Sequence, residues 1–413
     1  MQENNVLQKI VQQAVKKGYF AIDEYSGVKL TAQQFKDLGQ NLTQKGIPIH
    51  SYQQDKSLNK TQAIDIINSL RKGVVPSTNL DNFTVGRGDL LSKVNKNLQE
   101  VGYDKSIVRF INADLGQGKT HLLYLLRELA FEQGFAVSLV TLSQQESPLH
   151  KFLEVYHKIM WGIRTKEQPD RPALDNILDR WLNLMRDKVR GQVQQLIQFL
   201  PDEVKNVLIA YHTVTNPITP NHYDQQKILA FLSGKKIYVK DLRKMGIDLR
   251  IEENNALFML GIMARLFRHL GFKGIVVLFD EAEAIHSLSH YIHKEKAYKN
   301  LLQIIDQSRQ FSSCYFVYST TPSFFDNYFS FWPRNQKINA DDIYELAPLT
   351  KEELYDLAKK IFAIYCSAYT WKPGSKIESS LKKISEVGSS QNVGGFVRGV
   401  VSFLNEKMNE YKR

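Results

Sequence analysis

The sequence predicts an α/β fold built on a parallel β-sheet, with a large α-helical insertion, a C-terminal helical lid and a small N-terminal helical, winged-helix-like domain. Three observations predict this fold. A glycine-rich loop, residues 113–120 (ADLGQGKT), separates a short apolar run at 107–111 from a leucine-rich helix. A second apolar run, residues 274–279, ends in two carboxylates. Helical periodicity dominates the chain between these features and from residue 349 onward.

The composition is that of an ordinary soluble protein. With 413 residues and 43% hydrophobic side chains, the chain can bury a large core in two or three domains. No apolar run reaches the ~18 residues that a membrane span needs, and the start MQENN is unlike a secretion signal, so no membrane partner is expected. Cys314 and Cys366 lie in apolar segments and are predicted to be reduced thiols, which favours the cytoplasm.

The positive charge favours an anionic partner. A formal net charge of +11 and an isoelectric point near 9.3 are most simply explained by binding to nucleic acid. The lysines are spread along the chain, however, and a dispersed basic surface is also typical of one that is only solvated.

Residues 1–55 are predicted to form the N-terminal module. Apolar residues recur at helical spacing over residues 5–17, and a capping box of Thr31 and Gln34 begins a second helix that ends at Gly46. Residues 51–60 are polar and are predicted to be a linker. Protein interaction and DNA contact explain this module about equally well.

The core domain is predicted to span residues 61–348, and its glycine-rich loop has the features of a phosphate site. Gly116 and Gly118 let the backbone aim its N–H groups at a phosphate, at the positive end of the following helix. Lys119 is placed to neutralise the β- and γ-phosphates of ATP, and Thr120 to ligate Mg²⁺. Ala113 replaces the usual first glycine. The predicted nucleotide contacts of the loop are Asp114, Leu115, Gly116, Gln117, Gly118, Lys119, Thr120 and His121.

The helical insertion is predicted at about residues 145–270. Residues 135–142 form the expected second strand, and the next strand-like run does not appear until residue 274. Within the insertion, the hydrophilic residues 164–171 are predicted to be an exposed loop. Trp161 and Trp181 are assigned to helix packing rather than to base stacking.

The third strand carries the candidate catalytic carboxylates. Residues 274–279 are continuously apolar, as a strand buried in a parallel sheet must be, and Asp280 and Glu281 follow at its carboxyl end, where ligands bind. Asp280 is predicted to hold Mg²⁺, directly or through water, and Glu281 to polarise the attacking water. Glu283 is the alternative base.

The remaining core strands are predicted at residues 313–320 and 343–346. The C-terminal lid is predicted to span residues 349–413. Its first helix begins at Thr350, and Gly394 and Gly395 precede its last helix.

The ordered segments resemble the ATP-binding proteins of BREX-type bacteriophage-defence systems, particularly the BrxD-like group. This family has an AAA+ P-loop NTPase core related to origin-recognition initiators. The resemblance covers about residues 61–413 and implies ATPase activity, with DNA and other defence-system proteins as partners. Residues 6–50 also resemble region 1.1 of primary sigma factors. The segments that carry the main resemblance are RKGVVPS, FTVGR, NADLGQGKTHLL, SPLHKFLEVYHKI, HLGFKGIVVLFDEAEAI, YSTTPSFF and APLTKEEL.

The resemblance to AAA+ proteins implies further nucleotide contacts. Val85 and Arg87, in a Val-Gly-Arg element before the loop, would pack near adenine, although a generic turn explains this element equally well. Thr321, with Thr320 as the second choice, would contact the γ-phosphate or the attacking water. The alternative for Thr321 is that it caps the following helix.

Two arginines have comparable roles in AAA+ proteins. Arg334 lies where an arginine finger would reach a neighbouring subunit of a homo-oligomer, and an ordinary surface arginine is its alternative. Arg398 would act as a second γ-phosphate sensor or form a salt bridge within the lid. Initiators carry a C-terminal winged helix for which this chain leaves no room, so the N-terminal module or the helical insertion is expected to contact DNA.

The sequence thus predicts an ATPase that couples its nucleotide state to DNA binding or to complex assembly in antiphage defence. Two alternatives remain: a nucleotide-gated scaffold that hardly hydrolyses ATP, and a regulatory protein without direct DNA contact.

Overall fold

The computed structural model describes residues 58–186, 198–308, 311–331, 338–373, 376–388 and 392–412. The predicted N-terminal module and Arg334 lie outside these ranges. Of the helices within them, none combines the length and the apolar character that crossing a bilayer requires.

A five-stranded parallel sheet forms the centre, with the spatial order β2-β3-β4-β1-β5. The predicted α/β class is confirmed, and each strand lies within one or two residues of its predicted run. Because all strands run the same way, the carboxyl ends of β1, β3 and β4 meet at one edge, with β4 in the middle. The strands are Ser106–Asn112 (β1), Ala136–Thr141 (β2), Ile275–Asp280 (β3), Cys314–Thr320 (β4) and Ile343–Glu345 (β5).

Helices cover both faces of the sheet. In β3, Ile275, Val277 and Phe279 face one core, while Val276 and Leu278 face the other. This burial on both sides explains why the sequence of β3 is continuously apolar. In chain order the helices are Lys60–Lys72 (α1), Gly88–Gly102 (α2), Lys119–Glu132 (α3), Phe152–Gly162 (α4), Leu174–Arg186 (α5), Asp202–Val214 (α6), His222–Leu232 (α7), Val239–Lys244 (α8), Ala256–His269 (α9), Tyr291–Ser308 (α10), Pro322–Phe331 (α11), Lys351–Tyr369 (α12), Lys376–Val387 (α13) and Val393–Lys412 (α14).

Helices α4 to α9 lie between β2 and β3, where the sequence places its helical insertion. Trp181 packs as expected: it is 2% exposed, and its indole Nε1 donates to the Leu208 carbonyl at 3.2 Å. Trp161 packs only in part, because half of its surface is exposed. The stretch 164–171 is exposed only in part. Arg164 forms an antiparallel bridge with Val137 and so covers the free edge of β2.

The C-terminal helices pack together with α1, the first helix of the described region. Helix α12 contacts both α1 and α13, and α14 contacts α1. The capping box of Thr350 and Glu353 begins α12, and Gly73, with φ +72°, ends α1. Both cysteines are free thiols, with Cys314 buried and Cys366 partly buried, as predicted.

Candidate functional site

The glycine-rich loop leads from β1 into α3, and most of its backbone donors have no partner among the described residues. Gly116 and Gly118 have φ values of +82° and +92°, a region that glycine enters without strain. Within the described residues, no acceptor takes a hydrogen bond from the backbone N–H groups of residues 114–118. Together with the N–H groups of the first turn of α3, these donors suit an anion such as phosphate.

The Lys119 side chain curls back over the same loop. Its exposure is 8%, and its ammonium donates to the carbonyls of Ala113 at 2.9 Å and Asp114 at 3.4 Å. Glu283 Oε1 lies 3.8 Å from the same nitrogen. These oxygens occupy the ammonium while it is withdrawn from water, so an incoming phosphate would exchange with them.

Thr120 and Asp280 meet at the edge of the sheet. The Thr120 hydroxyl donates to Asp280 Oδ2 at 2.8 Å, and Ser319 Oγ donates to Asp280 Oδ1 at 2.5 Å. Strand β4 lies between β1 and β3, and this order places Ser319 beside the carboxylate. A hydroxyl and a carboxylate so close together are oxygen ligands of the kind that Mg²⁺ prefers. The sequence does not single out Ser319.

Glu281 and Glu283 differ in their exposure to solvent. Glu281 is exposed and has a left-handed backbone with φ +58°. Its N–H donates to Asp280 Oδ1 at 3.0 Å and to Ser319 Oγ at 3.2 Å. These bonds hold the backbone of Glu281 at the strand end, beside Asp280.

Glu283, the alternative base, faces the loop instead. It lies in the 3₁₀ turn Ala282–Ser287, and its Oε2 is buried without a hydrogen-bond partner among the described residues. Burial raises the pKa of Glu283 above its usual value. The Lys119 charge opposes this shift, and the carboxylates of Asp280 and Glu281 add to it.

The two threonines at the carboxyl end of β4 differ in how far their hydroxyls are free to bind a ligand. Thr320 is fully buried, and its hydroxyl donates to the Ile111 carbonyl at 3.0 Å, which ties it into the sheet. Thr321 is partly exposed at the start of α11, with its Oγ1 3.0 Å from Ser323 Oγ. Of the two hydroxyls, that of Thr321 is therefore the one free to rotate towards a ligand.

The Val-Gly-Arg element packs between α3 and α12. Val85 packs against the core that contains α3, and His121 Nε2 lies 2.8 Å from the hydroxyl of Thr84. Burial, with a smaller effect from the Arg87 charge, lowers the pKa of His121 to about 4, so its ring is neutral at neutral pH. Arg87 itself donates to the Ala347 carbonyl at 3.0 Å.

The last helix, α14, begins directly on the glycine-rich loop. The Gly394 N–H donates to the Gly116 carbonyl at 3.2 Å, and a Cβ on Gly116 would come within 2.8 Å of Asn392 Oδ1. This contact is not apparent in the sequence. Arg398 lies one turn further along α14, exposed and against Gly73 at the end of α1.

A loop suited to binding phosphate agrees with the family that comparison of the sequence identifies. Residues 58–396 match the family described as BREX system ATP-binding protein BrxC/D. The chain belongs to this family. Membership confirms the predicted resemblance and indicates ATP binding and a role in phage defence. The parallel sheet is consistent with a P-loop NTPase-like core. No curated protein matches the sequence. The BrxD-like subgroup and the sigma-factor resemblance stay predictions.

Proposed function

We propose that this BREX protein hydrolyses ATP in an AAA+ site and uses the nucleotide to control its contacts with DNA and with other defence-system proteins. One observation carries the proposal. The side-chain oxygens of Thr120 and Asp280, 160 positions apart in the sequence, lie 2.8 Å from each other, and the neighbouring residue Lys119 is buried. A hydroxyl, a carboxylate and an ammonium in this arrangement suit a magnesium-bound triphosphate.

Binding would rest on the loop and on these three side chains. Lys119 would exchange its loop carbonyls for phosphate oxygens, and the unpartnered N–H groups of residues 114–118 would take others. Thr120 and Asp280 would hold Mg²⁺. The described residues contain no group of three or more His, Cys, Asp or Glu suited to a metal, so phosphates and water would complete the coordination. Bound Mg²⁺ would neutralise phosphate charge.

Hydrolysis would depend on Glu281. Its backbone adjoins Asp280, and its exposed carboxylate would orient and deprotonate a water molecule. Ser319 would keep the Asp280 carboxylate oriented, and Thr321 would contact the γ-phosphate or that water.

The contact between α14 and Gly116 supports a coupling mechanism. A phosphate entering the loop would meet Asn392 and Gly394, so nucleotide binding would shift the helices after residue 349, acting as a lid, relative to the core. Arg398 would then approach the nucleotide as a second sensor. An arginine finger from Arg334 in a homo-oligomer belongs to the same proposal.

Lys119→Ala tests the site. The variant should show no measurable ATP binding by calorimetry, because the triphosphate loses the buried ammonium that would offset its charge. Lys96→Ala, which removes an exposed lysine from α2, is the matched control and should bind ATP as the wild type does. Near-normal affinity of Lys119→Ala would contradict the site assignment.

ATP turnover with and without DNA separates the proposal from its alternatives. Stimulation by DNA supports it. Binding of ATP without turnover would indicate a nucleotide-gated scaffold, and turnover that is indifferent to DNA would indicate a regulatory protein without DNA contact.

A further inference from the structure

Positive charge is concentrated in residues 235–250, between α7 and α9. All of the basic side chains in this stretch are exposed. Its net charge is +4, more than a third of the +11 of the whole chain. The basic excess is therefore not merely dispersed over the surface. The stretch contains the basic residues Lys235, Lys236, Lys240, Arg243, Lys244 and Arg250 and the acidic residues Asp241 and Asp248.

The two acidic residues of this stretch are in ion pairs, whereas its four lysines are in no ion pair with a described residue. Asp241 accepts a hydrogen bond from Lys227 of α7 at 2.7 Å, and Asp248 lies 3.7 Å from Arg243. Helix α8 buries Leu242, so Lys240 and Lys244 lie on the opposite, solvent-facing side of the helix. These two lysines are one helical turn from each other. Within the described residues, Lys235, Lys236, Lys240 and Lys244 form no salt bridge.

Exposed aromatic rings accompany these lysines. Tyr238, directly before α8, is 84% exposed. Trp161, at the end of α4, is 50% exposed, and Lys235 Nζ lies 4.7 Å from the centroid of its ring. Helix packing, the role predicted for Trp161, therefore accounts for only the buried half of its surface. An exposed ring beside unpaired cations can stack on a base while the cations contact phosphates.

The backbone that carries these groups is anchored on α4. The Tyr156 hydroxyl donates to the Leu232 carbonyl at 2.8 Å, and His157 Nδ1 lies 2.6 Å from the Ser233 carbonyl oxygen. Gly234 has φ +82°, and a Cβ there would come within 2.8 Å of the Tyr156 ring. The stretch thus leaves α7 in a defined direction, which lowers the entropic cost of binding an extended ligand.

We propose that this basic aromatic surface, formed by residues 235–244 together with Trp161, binds a single strand of nucleic acid. The lysines would contact successive phosphates, and Tyr238 would stack on a base. A duplex hides the faces of its bases, so the exposed rings favour a single strand. The inference rests on the proposed function and names the segment and the strand form for its nucleic-acid contact.

The test is fluorescence anisotropy of the full-length protein with labelled oligo-dT and with a duplex, over a range of salt concentrations. A Lys240→Gln and Lys244→Gln double variant should bind the single strand about tenfold more weakly at low salt. Loss of two phosphate contacts should also lower the salt slope by about 1.4. Tyr238→Ala should weaken single-strand binding at least about fivefold and leave the slope unchanged.

Matched controls exist for both changes. Lys382→Gln with Lys383→Gln removes two exposed lysines from α13, and Tyr103→Ala removes a tyrosine that is 83% exposed. Both should bind the strand within about twofold of wild type, since neither touches the proposed surface. All variants should bind ATP normally, which verifies that the site around Lys119 is intact.

The outcomes separate this inference from the proposed function. If the wild type binds neither strand form, both this surface and the proposed coupling to DNA are wrong, whereas hydrolysis can still be measured. If the wild type binds and the Lys240, Lys244 and Tyr238 variants match their controls, only this surface is wrong. If the lysine variant weakens duplex and single-strand binding alike and Tyr238→Ala has no effect, the assignment of a single strand is overturned.

Discussion

Changing Glu281 to Gln isolates the chemical step from binding. The substitution keeps the shape of the side chain and its left-handed backbone at φ +58°, so the free energy of unfolding should change by less than about 0.5 kcal/mol. The backbone N–H of residue 281 still bonds to Asp280 and Ser319. What disappears is the ability to accept a proton from water.

The expected loss of turnover follows from that change. A positioned general base contributes about 10²–10⁴-fold, so kcat should fall at least about 100-fold, or ~2.7 kcal/mol in the barrier. ATP affinity should stay within about twofold, because Lys119 and Thr120 are untouched. The measurements are steady-state phosphate release and calorimetric ATP binding, on the same preparations.

Glu283→Gln is the matched comparison. It also removes one negative charge near Asp280, but that charge faces Lys119 at 3.8 Å. Turnover should persist, and ATP should bind as well as to wild type or more tightly, because the ammonium loses a competing anion. If instead Glu283→Gln abolishes turnover and Glu281→Gln does not, Glu283 is the base. If both variants hydrolyse ATP normally, the measured activity does not come from this site.

Two further predictions concern side chains that support the site and the P-loop helix. Ser319→Ala removes the hydroxyl that orients Asp280 Oδ1 and leaves the Glu281 N–H as the remaining donor to that oxygen. The Mg²⁺ concentration for half-maximal ATP binding should therefore rise about tenfold. An unchanged Mg²⁺ titration would refute this role. Burial, with a smaller effect from Asp81, raises the pKa of Glu128 in α3 from 4.5 to about 7. The stability that the protonated Glu128 contributes is therefore present below pH 4.5 and is lost as pH rises through 7. Glu128→Gln should therefore raise the free energy of unfolding by about 1–2 kcal/mol at pH 8 and leave it nearly unchanged at pH 4.5, measured by urea unfolding; equal gains at both pH values would contradict the burial of this carboxyl.

Local signals were sufficient for most of the fold. The continuously apolar run of β3 predicted a strand buried on both faces, and it is buried on both faces. Thr350 predicted the start of α12, and that helix begins there with a capping box to Glu353. Each signal lies within a few residues of the feature it predicts, because strand burial, helix caps and helix ends depend on the nearest side chains and backbone groups.

The loop and the carboxylates of the candidate site were also predicted from the sequence, as was the family. Gly116, Gly118, Lys119 and Thr120 form a local motif whose spacing is set by the turn they make. The roles of these residues in binding and hydrolysis stay predictions until the variants above are measured.

Tertiary structure alone revealed the groups that surround those residues. Ser319 precedes the two threonines that the sequence offers as sensors, yet only the order β3-β4-β1 and the register of β4 turn the Ser319 hydroxyl onto Asp280. Asn392 meets Gly116 because α14 folds back over the loop. Trp161 lies off the apolar stripe of α4, and the packing of α4 against the stretch after α7 brings it beside Lys235. These contacts join residues far apart in the chain, and which of them form is decided by how whole helices and strands pack rather than by any neighbouring sequence.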